Sequence, residues 1–463
     1  MSRRPSGLSA VCLSALLVSA FAAAHPPLPP GPDGDAVPAP SGTAQAQPIV
    51  FTNVRIFDGT HGRLSAPSNV LVEGNLITRI ASTPLVAPGA KVIEGRGRTL
   101  MPGLIDMHWH SALVALPINV ALSADTGYIN IAAGVESRNT LMRGFTTVRD
   151  MGGAAFAVKA AIDDGHIEGP RIFPSGAMIT VTSGHGDFRQ ASDLPRTLGT
   201  PGSRHDLNGD SAIADSPDEV RLRVREQLMQ GASQVKLTAG GGVSSPHSPL
   251  DVVTFNAEEL AAAVGAASDW GTYVAVHAYT PEAIQRAVQA GVLCIEHASL
   301  MDEATAKKMA AAGTWLSTQP FPPELANAFA PGSNEWMKAQ EVFAGTEQTY
   351  KLARKYRLKT AFGTDILFSS ALAAQQGRIL ASLTRWYTPA ETLIMATGTN
   401  AQLLALSGKR SPYVGRLGVV EEGALADLLL VDGDPLTDIN VITDPQANFN
   451  VIMKDGRIYK DVR

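Results

Sequence analysis

Cysteine is almost missing from this chain: two in 463 residues. Cys12 lies in a leader-like segment, so the mature chain keeps only Cys294, and one thiol closes no internal bridge. The protein must be held by its core and by whatever it binds. Charge is also sparse, 38 basic against 43 acidic side chains for a net of -5, with no basic block to follow a phosphate backbone. Nucleic acid is therefore not an expected partner. Beyond the first residues there is no long apolar run. Residues 1–24 carry Arg3 and Arg4, then a short stretch through Leu16, Leu17, Val18 and Phe21, then Ala22 to Ala24. This pattern reads as a signal peptide, too short and too rich in Ala and Ser for a membrane anchor. Cys12 sits inside the apolar region, not after it, which argues against a lipoprotein. The expectation is a periplasmic or secreted protein with no membrane attachment once the leader is removed.

Apolar residues make up 45% of the chain and charged residues 17%, an ordinary globular balance. The length exceeds one small core, so a large domain with a smaller one is expected. Residues 25–47 are rich in Pro, Gly and Ala without periodicity and read as a linker. Short β signals follow over 48–101 (Ile49-Val50-Phe51, Val54 to Phe57, Val70-Leu71-Val72, Ile77 to Ile80, Lys91-Val92-Ile93). Similar signals return over 412–463 (Gly418 to Gly423, Ala426 to Val431, Asn450 to Arg457). Each set alone is too small to bury a core, so the two are expected to form one β-sandwich domain around a large insertion.

Between 102 and 411 strand and helix patterns alternate. Strands are expected to end at His108 to His110, Thr146 to Arg149, Ile172 to Ile179, Gln234 to Leu237, Tyr273 to His277, Leu293 to His297, Thr314 to Thr318 and Thr360 to Asp365. Helical stretches such as Asp218 to Gln230, Asn256 to Asp269, Pro281 to Ala290 and Asp302 to Ala312 lie between them. This is the signature of an α/β (β/α)8 TIM barrel. A doubly wound open sheet is the rival, but no Gly-x-Gly-x-x-Gly follows the first strand.

In such a barrel the chemistry sits at the C-terminal ends of the strands. Those ends carry His108 and His110, Lys236, His277, His297 and Asp365. Residues two apart on a strand leave it on one side, so His108-x-His110 can converge on a single metal ion. Alone, the pair could equally be two loop histidines, His277 and His297 could be core histidines, and Asp365 a helix cap. Of ten histidines, however, four fall at strand ends of one face. Two divalent metals close together need a bridging anion, and no carboxylate ends the fourth strand. Lys236 does, between Val235 and Leu237. A lysine in a dry site has a lowered pKa and can take up CO₂ as a carbamate, which would supply the bridge. Two metals sharing it would polarise a scissile carbonyl and make a shared water acidic. Asp365 would ligate one of them and carry a proton to the leaving amine.

The set Asp106-x-His108-x-His110, Lys236, His277, His297 and Gly363-Thr-Asp365, flanked by β segments, resembles the metal-dependent amidohydrolase superfamily over nearly the whole mature chain. Ser183-Gly-His185-Gly-Asp187, Lys236 to Val243, His277-Ala-Tyr279 and Ile295-Glu-His297 are similar to its imidazolonepropionase-related branch, which includes prolidase-like carboxypeptidases and ochratoxin amidohydrolases. The resemblance implies zinc as the usual metal. It implies His108, His110 and Asp365 on the more buried ion, His277 and His297 on the more exposed one, and carboxylated Lys236 between them. It also implies a small-molecule substrate, an N-acyl amino acid or dipeptide with a free carboxylate, and a homo-oligomer as large as an octamer. His185 and Tyr279 are the expected carboxylate-binding residues; Phe321, Leu367, Phe368 and Trp386 are expected to line the pocket. Hydantoinase-like cyclic amide hydrolysis, Xaa-Pro or Xaa-Arg dipeptidase activity and a non-catalytic barrel scaffold are the alternatives.

Overall fold

Both ends of the chain meet in one sheet. β1 (Ile49–Ile56), β2 (Ser68–Glu73), β3 (Leu76–Ala81), β4 (Lys91–Glu94) and β5 (Thr99–Pro102) come from the N-terminal side. β16 (Leu428–Val431), β17 (Phe449–Lys454) and β18 (Arg457–Asp461) come from the C-terminal side. In the computed structural model, which describes residues 47–190, 192–193, 202–245 and 247–462, they pair in the order β18-β17-β16-β5-β1-β2-β3, with β4 on β1. The leader and the linker up to residue 46 lie outside the described residues. The seam is β5, parallel to β1 on one side and antiparallel to β16 on the other. Phe51, Val54, Ile77, Leu100, Leu430 and Val451 share one buried cluster across it. Removing those side chains from water is what holds the two chain ends together.

One expected strand is corrected here. Residues 418–423 run as bends and a turn, not a strand. Gly418 sits at φ +69, where a β-carbon would meet the Thr397 carbonyl oxygen at 2.5 Å. The glycine serves a close backbone approach, while Val419 and Val420 still reach the sheet's core.

The middle of the chain forms two parallel sheets. The first is β6 (Leu104–Trp109), β7 (Phe145–Asp150) and β8 (Arg171–Pro174). The second contains β9 (Met178–Thr180), β10 (Ser211–Ile213), β11 (Val235–Thr238), β12 (Val274–Ala278), β13 (Cys294–His297), β14 (Trp315–Thr318) and β15 (Thr360–Phe362), in the order β10-β9-β11-β12-β13-β14-β15. The expected third strand is therefore two. At Ser175 to Ala177 the chain leaves the first sheet and enters the second, with Gly176 at φ +73 and no room for a side chain beside Gln227. At the other edge, the Asp365 amide donates to the His108 carbonyl at 2.8 Å, tying the end of β15 to β6.

The strands are buried on both faces, as parallel strands covered by helices are. Their residues alternate. Val235, Leu237, Val274, Val276, Ile295 and Leu316 pack with helix residues such as Val224, Leu260 and Ile284. The intervening positions, Lys236, His277, Glu296 and Ser317, take the opposite face. The helices Pro217–Met229, Ala257–Asp269, Pro281–Gln289 and Glu303–Ala312 are started by Ser216, Asn256, Thr280 and Asp302, whose side chains accept the N3 amide. Each such cap contributes about 1 kcal/mol. Alternation along the strands thus sends one polar set toward a common interior.

Candidate active site

Four imidazoles, a lysine and an aspartate come together at the C-terminal ends of β6, β11, β12, β13 and β15. Ring centroids stand 5.2 Å apart for His108 and His110, 4.9 Å for His108 and His297, and 4.6 Å for His277 and His297. Asp365 Oδ1 lies 3.3 Å from His108 Nε2 and 3.2 Å from His110 Nε2, and its Oδ2 lies 3.7 Å from His297 Nδ1. Lys236 Nζ is 3.4 Å from His108 Nε2. Asp365 and His297 hold positive φ, +51 and +72, backbone conformations that cost of order 1–3 kcal/mol and persist where the surroundings force them. The six residues expected to hold metal are thus all brought together.

Proton bookkeeping shows what the cluster needs. His110 Nδ1 donates to the Gly152 carbonyl at 2.9 Å, and His108 Nδ1 donates to Glu296 Oε2 at 2.7 Å. A neutral ring so engaged presents a lone pair at Nε2, and both Nε2 atoms here lie beside a carboxylate oxygen that is itself an acceptor, with the Lys236 amine also near that of His108. Burial, with Lys236 and His110 nearby, holds His108 well below the usual histidine range, so a proton does not fill the gap there. A metal ion does. Donor atoms of a tetrahedral zinc ion with bonds of about 2.0–2.1 Å stand about 3.3–3.4 Å apart, the spacing found here. Ligand atoms of His108, His297 and Asp365 all lie within 4.8 Å of one another. On the other side, His277 Nε2 donates to the Gly241 carbonyl at 2.8 Å and His297 Nδ1 to Gln319 Oε1 at 2.7 Å. Each imidazole therefore has one nitrogen committed to an outer partner, the arrangement that fixes the tautomer of metal-ligating histidines. His277 and His297 are likewise held well below the usual range, by burial first, then by His297 and Lys236 for His277 and by His108 and Lys236 for His297. The residues present fit a divalent cation.

Residues 99–460 match the amidohydrolase family. The chain belongs to that family. Ochratoxinase of Aspergillus niger is 30% identical over 392 residues, covering 78% of this chain and 75% of its relative. Among solved structures, a prolidase complexed with N-methylphosphonate-L-proline superposes with a TM-score of 0.82 at 32% identity, covering 90% of this chain and 100% of that one. A Xaa-Pro dipeptidase with bound methionine gives 0.78 at 29% identity over 89% of this chain and 100% of that one. This amidohydrolase is an α/β protein of TIM-barrel-like fold and a hydrolytic enzyme acting on amide or peptide bonds.

Two supporting groups were given no role from the sequence, although Asp106 stands in the first motif. Arg149, wholly buried on β7, donates to Glu296 Oε1 at 2.7 Å, to the Met107 carbonyl at 2.7 Å, to the Tyr273 hydroxyl at 3.0 Å and to Ser317 Oγ at 3.1 Å. Burial pushes the Glu296 carboxyl up, but Arg149 and Lys236 more than offset this and keep it an anion that can hold His108. Asp106 is the second. It accepts from the amides of His108 and Thr364, from Thr364 Oγ1 at 2.6 Å and from Gln376 Nε2 at 2.9 Å, clipping β15 to β6. Gly363 is glycine because a β-carbon there would lie 2.5 Å from the His108 amide nitrogen. The signal was visible: a charged residue inside an otherwise apolar parallel strand must have a partner.

Lys236 is buried, and desolvation lowers its pKa, with Glu296 and Asp365 opposing that shift. The neutral amine this favours is the nucleophilic form. His185 and Tyr279 also reach the cluster. His185 stacks on His277 at 4.3 Å and its Nδ1 meets Ser245 Oγ at 2.9 Å. Tyr279 lies 4.5 Å from His277 and 5.4 Å from His297 by ring centroid. Burial and Asp365 push its phenol far up, so it stays a protonated donor. Phe321 packs on Phe343 beside Tyr279, and Leu367 and Phe368 follow Asp365 against Leu113. Trp386 is a correction. It stacks on Tyr350 at 4.1 Å and belongs to the cluster with Leu429 and Phe449 of the terminal sheet. Its indole N–H is taken by Glu347. An apolar ring in the helices after β15 had two cores to join, and it joined the one beneath the terminal strands.

Proposed function

We propose that this amidohydrolase is a two-metal amidase that cleaves N-acyl amino acids or dipeptides with a free C-terminal carboxylate and an apolar or aromatic C-terminal side chain. Ochratoxin A, cut to ochratoxin alpha and phenylalanine, falls within that class. The observation that carries the reading is Asp365 Oδ1 held 3.2 and 3.3 Å from two imidazole nitrogens whose protons are committed elsewhere. In this reading His108, His110 and Asp365 hold one ion, His277 and His297 the other, and Lys236, carboxylated by CO₂, bridges them. Imidazole and carboxylate donors suit Zn²⁺ and also accept Co²⁺ or Mn²⁺. When bound, the metals supply Lewis acidity and an activated water. The protein's own residues do the rest. Asp365 takes a proton on its carboxylate and delivers it to the leaving nitrogen. His185 and the protonated Tyr279 receive the substrate carboxylate, and Phe321, Phe343 and Leu250 form the apolar wall beside them. Burial of the whole cluster excludes bulk water and strengthens each of these contacts.

The same proposal includes the division into a β domain of 48–101 and 412–463 around a closed barrel of 102–411, and export of the chain. It also includes self-association. The helix Thr126–Met142 supports that last part: it turns Tyr128, Ile131 and Val135 outward, 56%, 72% and 63% exposed, while Glu136, Ser137 and Thr140 are buried. Apolar residues at that spacing on an outer helix face suit a second copy.

A cyclic-amide reading has one observation in its favour, a dihydroorotase of Streptomyces coelicolor 27% identical over 196 residues, 38% of this chain. Turnover decides between the two. N-acyl-phenylalanines and Xaa-Pro dipeptides should be hydrolysed, with their methyl esters at least about tenfold slower, the cost of losing one hydrogen bond to a charged group. Faster turnover of hydantoin or dihydroorotate would overturn the linear-amide reading, and no turnover of either class would overturn both substrate readings.

A further inference from the structure

The loop after β11 meets two site histidines through a backbone carbonyl and one hydroxyl. The Gly241 carbonyl holds His277 Nε2 at 2.8 Å, and Ser245 Oγ holds both His185 Nδ1 at 2.9 Å and the Gly186 amide at 3.0 Å. At Gly241 and Gly242 the loop has no space for side chains. A β-carbon at Gly242 would fall 1.9 Å from His185 Nδ1, and one at Gly241 would fall 1.6 Å from the Pro249 carbonyl oxygen. At these two glycines, therefore, no side chain of the loop itself can set its position.

A side chain from another element sets it. Lys338, buried on the helix Asn334–Ala344 that follows β14, donates to the carbonyls of Gly242 at 2.7 Å, Ser245 at 2.8 Å and Ser248 at 3.3 Å. An ammonium has three N–H donors, and here each finds a carbonyl, so the charge is taken out of water and solvated by the loop itself. The next turns of the same helix, Ala339, Val342 and Phe343, pack against Val243, Leu250 and Tyr279. The helix that walls the apolar pocket is thus bolted to the loop that orients two site histidines.

We propose that Lys338 is a positioning residue, whose ammonium locks the loop after β11 so that Gly241 and Ser245 hold His277 and His185 in the orientation required by the second metal and the substrate carboxylate. This rests on the two-metal reading. A filled pocket wall and a formed second metal site are then one state of the enzyme: whatever displaces the helix also displaces His277. The His108, His110 and Asp365 half, anchored through Glu296, Gly152 and Asp106, does not depend on Lys338.

The test is equilibrium zinc titration against a competing chelator on the full-length wild type and K338M, with KM and kcat for an N-acyl-phenylalanine. Expected for K338M is one tight site retained, the second weakened at least about tenfold, and KM raised. K338Q, which keeps two of the three donors, should fall between. Two tight sites and an unchanged KM in K338M would overturn the proposal, as would equal weakening of both sites, the mark of general destabilisation. Should K338M fail to fold, K338Q decides by the same criterion. A wild type with fewer than two tight sites sinks the two-metal reading itself. A two-site wild type with a two-site K338M sinks only the role of Lys338.

Discussion

At the start of β8 Arg171 meets Asp427 through Nε at 2.9 Å and through a terminal nitrogen at 3.1 Å, and meets Asp455 at 2.6 Å. At the far end of the strands Asp365 meets the Nε2 atoms of His108 and His110, and Lys236 meets the first of these again at 3.4 Å. Arg171 and Asp427 are buried much as the site histidines are, while Asp455 is half exposed. The two regions differ in pairing. Around Arg171 donors face carboxylate oxygens, so the charges joining the strands to the terminal sheet are matched within the protein. Around Asp365 a carboxylate oxygen faces imidazole nitrogens whose protons are committed elsewhere, an arrangement that a divalent cation would complete. Burial of charge does not separate a structural cluster from a functional one; unmatched hydrogen-bonding roles do.

The largest effect expected from breaking this contrast is on Asp365. Asp365→Ala should lower kcat about 10²- to 10⁴-fold, the range for a group that moves a proton in the reaction. In metal-free protein the same change should leave thermal stability unchanged or raised, because it removes an acceptor that repels two lone pairs. A loss of stability in the metal-free state would show that Asp365 is held by protons, not by a cation. Arg171→Met should do the reverse. Removing one partner of the buried pair with Asp427 costs about 3–5 kcal/mol, read as a lower urea midpoint, while kcat per folded molecule stays unchanged.

Tyr279→Phe should act on substrate alone. Losing a hydrogen bond to a charged group costs about 1.5–3 kcal/mol, so kcat/KM for substrates with a free carboxylate should fall at least tenfold while the methyl ester is little affected. Equal effects on both would remove Tyr279 from carboxylate binding.

Acid should separate the two regions by pH, with a smaller effect per group. His108, His277 and His297 are held by burial well below 6.5, so they stay neutral in the fold while the unfolded chain protonates near that value. The unfolded state then binds more protons, and stability of the metal-free protein falls as pH drops below about 6.5, by up to about 1.4 kcal/mol per pH unit for each histidine. At Asp455 burial pushes the carboxyl up, but Arg171 outweighs it and the net shift is below 3.8. Its contribution is full above that value and is lost only as pH falls through the lowered one. Urea unfolding between pH 8 and 5 should thus report the histidines and leave the Arg171 cluster intact; a flat profile would contradict the assignment.

Much of the site was legible because strand ends in this architecture are also the ends of apolar runs, so His108, His277, His297 and Asp365 could be placed by counting along the chain. Lys236 stood out for the same reason. Arg149 and Glu296 were visible as charges inside apolar strands, but their pairing crosses 147 residues and no local pattern announces it. The split of the third strand turns on Gly176, whose left-handed backbone leaves no trace in hydrophobic periodicity. Gly418 misled in the opposite direction, because valines beside a glycine suit a turn that dips into a core as well as they suit a strand. Trp386 shows the limit of reading lining residues from loops: its destination depended on which core lay closer, a property of packing and not of sequence spacing.

The account stands most directly on the metal content of the purified chain, measured by elemental analysis together with amide hydrolysis before and after exhaustive chelation. Two divalent ions per chain, activity lost with them and restored on their return, is the predicted result. Full hydrolysis by a chain shown to be free of metal would contradict it.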